Sequence, residues 1–345
     1  MDRTGSTTGG ELRVSTIREI AKAAGVSVST ASLALNGDRR VRPETRERIL
    51  KIAQELNYHP MRAARSLSSG RTWTLYLLNP LVGTDLSAGF FTRFSTGVHH
   101  WAAERGYSVG LSLVKDEQEA EEAARRIVNE RWADGLILVN PTTDGTLFAW
   151  LGEVNFPHVV LGWHERCPYS VDTNNVAAAQ EATAYLLAKA GGPVLFLAGP
   201  KQQTFGHERA AGYRQALLAA GIEPDDRYVL FAGGGSAQDG FRAVRQVLAG
   251  GLRFRSVLAV SDALAVGAMR AVREAGLRVP HDVAVMGMNN DDVAEYTDPP
   301  LSSVDLQAEK LGREAAAMLL DVIEGAVAGP ARRLVPHMIV GRQSA

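Results

Sequence analysis

The chain has 345 residues, 46% of them apolar and 22% charged, with a formal net charge of −1. That balance excludes a disordered or collagenous chain and leaves room for a small head plus one or two core-bearing domains. The single cysteine, Cys167, excludes an internal disulfide and a cysteine-built zinc site and fits a reducing cytoplasm.

Residues 1–14 read as a flexible tail, with no apolar core for a signal peptide. From Thr16 the pattern is helical. Ile17, Ile20, Ala21 and Ala24 fall on one helical face, and Gly25 closes the helix because it takes the left-handed conformation of a C-terminal stop without strain. Ser27 can cap a second helix, Val28 to Asn36, that buries Ala31, Ala34 and Leu35 and turns Val28, Ser29, Ser32 and Leu33 outward. Pro43 opens a third helix, with Glu44 and Glu47 near its positive end and Ile49, Ile52, Ala53 and Leu56 on its core side. This is helix-turn-helix geometry, with Val28 to Asn36 as the recognition helix. A three-helix bundle used only for packing is the bland alternative. Against it stand the hydroxyls of Ser27, Ser29 and Thr30, placed for phosphates, and the cluster Arg39, Arg40 and Arg42. Charge supports the same division. Residues 1–70 hold 12 Lys/Arg and 7 Asp/Glu, a net of +5, and the other 275 hold 25 and 31, a net of −6. A basic head on an acidic body suits a DNA reader with a separate sensor.

The stretches AKAAGVSVSTASLALNG, VRPETRERIL and NYHPMRAARSL resemble the lactose-repressor (LacI/GalR) family of bacterial transcription regulators. The resemblance implies a homodimer that sets two recognition helices in successive major grooves of double-stranded operator DNA. It also implies a hinge helix, about Arg62 to Ser68, whose Leu67 wedges into the minor groove. The DNA-facing residues expected on this basis are Ser27, Val28, Ser29, Thr30, Ser32 and Leu33 on the recognition helix and its cap. Thr16 and Asn36 flank the motif, and Arg62, Ala64 and Leu67 belong to the hinge. Leu33 stands where many members carry a basic residue.

Beyond Trp73, strands alternate with helices. Strands are expected at 74–81, 107–114, 135–140 and 157–163, with helices at 91–105, 116–131 and 147–153. A second set starts at Ser170. Its strands are 193–200, 227–233, 256–262 and 282–290, and its helices are 174–190, 208–220, 238–248 and 263–275. The run Gly135 to Asn140 lacks polar alternation, as expected of a strand covered on both faces. Two βα arrays joined by right-handed crossovers imply two doubly wound, parallel-sheet lobes, with a helix at 307–324 and a strand near 335–340 returning to them. The resulting fold class is an all-α helix-turn-helix head with a hinge helix, then α/β with two lobes. The domains expected are a tail (1–14), head (15–59), hinge and linker (60–71) and effector and dimerisation domain (72–345). Lobe 1 would hold about 72–170 and 303–330, and lobe 2 about 171–302 and 331–342.

Enzyme chemistry is not in evidence. Gly233 to Gly240 follows a strand but lacks Gly-x-Gly-x-x-Gly spacing and an acidic ribose partner. No P-loop, GxSxG elbow or nucleophile–base pair occurs, and the eight histidines show no metal-ligand spacing. No catalytic residue, metal or cofactor is therefore expected. HERAAGYRQAL (207–217), LAVSDALAVGAMRAVREAGLRVPHDVAVMGMNN (258–290) and YTDPPLSSVDLQAEKLGREAAAMLLDVIEG (296–325) resemble the same family's effector domain. That domain is similar to periplasmic sugar-binding proteins, with ligand between the lobes.

By this resemblance Arg209 grips a polar ligand, Ser261 stands where Asn is usual, and Asn289 where Asp is most frequent. Asn79 completes the lining. Gly235 replaces a stacking aromatic, Gly162 replaces a polar contact, and Trp163 is the nearest aromatic that could stack instead, with a core or rim place as its alternative. Asp262 reads as a helix cap. The expected function is a cytoplasmic, ligand-responsive repressor sensing a small polar metabolite, foremost a carbohydrate, with no membrane partner. A transport-type solute receptor is the alternative, disfavoured by the attached head and the absence of a signal peptide.

Overall fold

A computed structural model describes residues 15–35, 37–58, 66, 69–80, 89–139, 146–201 and 203–345. The chain divides into two compact units at the boundary between Thr72 and Trp73.

In the first unit α1 is Ile17–Ala24, α2 Val28–Leu35 and α3 Pro43–Glu55. Thr16 caps α1 reciprocally. Its Oγ1 accepts from the Glu19 N–H at 3.4 Å, and its own N–H donates to Glu19 Oε2 at 2.7 Å. Gly25 ends α1 at φ 64°, and Ser27 Oγ accepts from the Thr30 N–H at 3.1 Å to start α2. Ile20, Ala24, Ala34, Val41, Ile49 and Ala53 form the core. Leu33, expected outside, packs against that core, while Leu56, expected inside, is exposed just past the last turn of α3.

In the second unit the first sheet gathers β1 (Thr74–Pro80), β2 (Ser108–Val114), β3 (Gly135–Leu138), β4 (His158–Leu161), β5 (Tyr169–Thr173) and, from far along the chain, Ala331–Val335. Its helices are α4 (Gly89–Glu104), α5 (Glu117–Asn129) and α6 (Thr146–Glu153). Side chains of β3 alternate between two apolar clusters, Leu136 and Leu138 on one face and Ile137 on the other. Both faces are covered, which explains the uninterrupted apolar run.

The second sheet holds β6 (Val194–Leu197), β7 (Val229–Leu230), β8 (Ser256–Ala259), β9 (Ala284–Met288), β10 (Ser302–Asp305) and Met338–Val340. Around these strands lie α7 (Asn175–Ala190), α8 (Thr204–Ala219), α9 (Ala237–Ala249), α10 (Asp262–Glu274) and a short α11 (Val293–Tyr296). The helix α12 (Ala308–Ile323) returns to pack on α4, β4 and β5. The last two strands, Ala331–Val335 and Met338–Val340, are β11 and β12. Sheet orders are β11-β5-β4-β3-β1-β2 and β12-β10-β9-β8-β6-β7. All described pairings are parallel except β10 with β12.

Three details differ from the sequence reading. Tyr169–Thr173 and Ala331–Val335 pair with each other in the first sheet, so residues 331–342 do not belong wholly to lobe 2. Ser302–Asp305 lies in the second sheet, not with lobe 1. The expected strand 227–233 contracts to Val229–Leu230, because Asp225 caps a 3-10 turn at Asp226–Tyr228 by accepting from the Arg227 N–H at 2.9 Å.

Helix pairs approach closely at glycines. A Cβ at Gly312 of α12 would stand 2.0 Å from the Phe94 carbonyl oxygen of α4, and one at Gly97 would stand 2.0 Å from that of Glu309. Gly212 of α8 meets α7 in the same way, and Gly267 of α10 meets α9. Gly152 on α6 faces open space. Gly312→Ala should therefore force the helices apart and cost about 1–3 kcal/mol of stability. Gly152→Ala should instead stabilise by up to ~1 kcal/mol through helix propensity. Urea unfolding of the two variants checks these opposite signs.

Candidate effector cavity and nucleic-acid interface

The first unit carries an exposed polar and basic surface around α2. Ser27, Val28 and Ser29 are exposed, while Thr30 and Ser32 are half-buried. The hydroxyls of Ser27 and Thr30 lie 2.8 Å apart and are engaged in the cap, so they offer less to a phosphate than their number suggests. Arg40 bonds Asp38 at 2.7 Å and holds that carboxyl down to about 2. Arg39 and Arg42 make no ion pair among the described residues and keep their charge available. Thr16 is exposed beside α1. Asn36, Arg62, Ala64 and Leu67 lie outside the described residues.

In the second unit one cavity opens at the C-terminal ends of both sheets, where ligands bind in open α/β folds. Asn79 comes from the end of β1, and Gly162 follows β4. Asp172 and Asn175 come from the passage between β5 and α7, Ser261 follows β8, and Asn289 follows β9. Phe205, Glu208 and Arg209 project from one face of α8, at the i, i+3, i+4 spacing. Gly235 completes the rim. The structure thus brings Asn79, Arg209, Gly235, Ser261 and Asn289 together. Trp163 is the exception: it is 47% exposed and lines a different cavity. Gly162, at φ 102°, turns the chain beyond β4, and the expected stacking on Trp163 is not available in this cavity.

The chemistry centres on Arg209, which is buried. Its Nε donates to Asn175 Oδ1 at 2.8 Å and its Nη1 to the Val260 carbonyl at 2.8 Å. The guanidinium lies 4.8 Å from the Phe205 ring centroid. Burial lowers its pKa to about 10, which leaves it charged at neutral pH. The Asn175 amide donates to Asp172 Oδ1 at 3.2 Å and Glu208 Oε2 at 2.9 Å, so one side chain joins both carboxylates to the cation. Asp172 also accepts from Arg332 at 3.2 Å. Burial, reinforced by repulsion from Glu208, raises its pKa to about 6. Ser261 both lines the cavity and caps α10, accepting from the Leu264 N–H at 3.3 Å.

Asp262 is not the cap. Its carboxylate accepts from the Asp291 N–H and the Ser303 hydroxyl, each at 2.6 Å, and ties the β9 exit to β10. Sequence reasoning missed Asp172, Asn175, Glu208 and the aromatic ring of Phe205. The signal for Phe205 was its helical register with Arg209, hidden because α8 begins at Thr204, earlier than expected, whereas Glu208 lay within the expected helix 208–220.

No group of three or more His, Cys, Asp or Glu is arranged to hold a metal among the described residues. None of the described helices is long and apolar enough to cross a membrane.

Comparison with known proteins agrees with the head and the two-lobed fold. A profile described as "Bacterial regulatory proteins, lacI family" matches residues 16–61, and one described as "Periplasmic binding protein-like domain" matches 184–345. The HTH-type transcriptional regulator CelR of Thermobifida fusca is 34% identical, over 95% of this chain and 98% of its own. The HTH-type transcriptional repressor PurR of Erwinia tasmaniensis is 33% identical over 90% and 91%. A solved CelR–cellobiose complex superposes with a TM-score of 0.75 at 32% identity, over 96% of this chain and all of the other. A lac repressor dimer bound to operator and an anti-inducer superposes with a TM-score of 0.84 at 27% identity, over 96% and 99%. With its helical head, its two parallel-sheet lobes and relatives of this closeness along almost its whole length, the chain belongs to the lacI family of bacterial regulatory proteins, transcriptional regulators rather than enzymes.

Proposed function

We propose that this regulator is a cytoplasmic, homodimeric repressor that binds a palindromic operator through two heads and senses a neutral carbohydrate in the cavity between its lobes. The observation that carries the effector class is the joined set Asp172, Asn175, Glu208 and Arg209 beside Phe205. Planar carboxylate, amide and guanidinium groups bond hydroxyls, while an aromatic face accepts apolar C–H surface. Two carboxylates are balanced by Arg209 and Arg332, which favours an uncharged ligand. The structural likeness to a cellobiose complex supports a sugar, and Gly235, standing where an aromatic is frequent, favours one larger than a monosaccharide.

Calorimetry with cellobiose and a panel of other di- and monosaccharides tests the reading; saturation by none of them would refute the carbohydrate class. For the sugar that binds, Arg209→Ala should lower affinity at least ~100-fold, as charge-assisted bonds contribute about 1.5–3 kcal/mol each. The same change should also lower thermal stability, because it leaves Asp172 and Glu208 without their buried counter-charge.

Effector affinity should depend on pH in a stated direction. A hydroxyl donates best to ionised Asp172, so binding favours the deprotonated form. Affinity should therefore rise as pH passes upward through about 6 and level off above it. Calorimetry from pH 5 to 8 measures this, and a flat profile would remove Asp172 from the ligand contacts.

On DNA, exposed Val28 is apolar and suits a thymine methyl group, whereas Gln pairs with adenine. Val28→Gln should change the preferred base at one symmetric pair of operator positions in a binding-site selection. Arg42→Ala should weaken operator and random DNA alike and reduce the salt slope by about 1.

A further inference from the structure

A feature outside this chemistry lies on the far side of the Asn289 turn. Asn289 and Asn290 have positive φ, 107° and 53°, a conformation that needs outside support in residues other than glycine. The second lobe supplies that support by itself. The Asn289 N–H bonds the Val304 carbonyl at 2.9 Å, the Asn290 N–H bonds Ser303 Oγ at 3.0 Å, and the Asp291 N–H bonds Asp262 at 2.6 Å. Arg342 holds the Asn290 amide at 2.8 Å. The turn is thus a fixed point of the second lobe.

A side chain of the first lobe also reaches it. Arg93, on α4, donates through Nη2 to the Asn289 carbonyl and to Asp291 Oδ1, the latter at 3.1 Å. Their side chains are 30% and 6% exposed, so this pair is only partly open to screening water. Backbone shape provides for the same approach. Gly89, at the start of α4, lies so close to Asp291 that a Cβ there would stand 2.7 Å from Oδ1. The Asp291 carboxylate therefore sits against the positive end of α4 as well as against Arg93. Both partners line a second cavity that shares Gly235 and Ala263 with the effector cavity.

We propose that Arg93 and Asp291 form a clasp across the cleft that holds the two lobes in their closed arrangement before any effector binds. Because the turn is braced within its own lobe, losing Arg93 removes a tie between lobes and leaves the local fold in place. The clasp biases the closed-to-open ratio by about tenfold or more, the scale expected of a charge-assisted pair that opening would hydrate.

The test uses the full-length protein without effector or DNA. Spin labels are attached at cysteines introduced by Gln118→Cys and Gln238→Cys, exposed positions on α5 and α9; buried Cys167, with its thiol pushed up to about 12, does not compete. Labelled chain is diluted with excess unlabelled chain so that only intrachain distances are read. Arg93→Ala and Asp291→Asn should each lengthen and broaden the cross-lobe distance distribution. Arg93→Gln, which keeps the length of a polar side chain on this helix, should do the same and carries the test if Arg93→Ala does not fold. A wild-type distribution in a folded Arg93 variant would overturn the clasp. That outcome is independent of what fills the effector cavity, since no ligand takes part.

Discussion

A buried guanidinium must be surrounded by groups that replace its water, and in this regulator that requirement shapes the effector cavity. Arg209 is fixed by an amide oxygen and a backbone carbonyl, and the anions that balance it stand one residue away in Asn175's reach rather than in direct contact. Only an amide at position 175 can do this, since it accepts from the cation on one side and donates to carboxylates on the other. A carboxylate there would set three anions together, and an apolar residue would strand all of them. Burial, and then repulsion from Glu208, raises the pKa of Asp172 despite the two arginines.

Asp172 and Asn175 sit where the chain passes between lobes. It crosses from β5 to α7, from β10 to α12 and from β11 to β12. The crossings are tied together: Thr173 Oγ1 donates to the Val335 carbonyl at 2.9 Å, and Gln307 Nε2 to the Pro336 carbonyl at 2.6 Å. Gln307 adopts φ 53° to do so. Asp172, one residue before Thr173, is bonded by Arg332 of β11. The bonds at Asp172 and Thr173 therefore tie the β5–α7 crossing to the strand that leads into the β11–β12 crossing.

How much of this was legible in the sequence follows from the range of each interaction. The head was readable because its caps and apolar periodicity are local: Thr16 with Glu19, Gly25, and Ser27 with Thr30 each act within three or four residues. Covered strands such as Gly135–Leu138 announced themselves as apolar runs. Of the short final strands, one near 335–340 was expected and Ala331–Val335 was not. Residues 331–340 hold the adjacent pair Arg332–Arg333 and a proline, and nothing local says that β11 joins the first sheet and β12 the second. Arg209 was found by resemblance, yet its partner Asn175 lies 34 residues earlier, and Arg93 meets Asp291 across 198 residues. Pairings at that distance leave no periodic trace. Trp163 misled for a related reason, since one left-handed glycine before it redirects the chain.

Asp172, Asn175, Glu208 and Arg209 are already bonded within the protein, and this decides how the cavity discriminates. An effector must replace water at Asp172 and Arg209 while keeping their existing bonds, so it gains from them only where its hydroxyls match the positions left open. Selectivity then comes from loss: a ligand that expels water but lacks a hydroxyl at the right place leaves a buried carboxylate unpaired, a penalty larger than the gain from any single added contact. The same reasoning governs the response to DNA. Effector can alter operator affinity only through unequal affinity for the two lobe arrangements, and the coupling is reciprocal. Bonds made to Asp172, at the end of β5 and bonded by Arg332 of β11, depend on lobe position, whereas the contacts of Arg209 with Asn175 and Val260 lie within the second lobe alone.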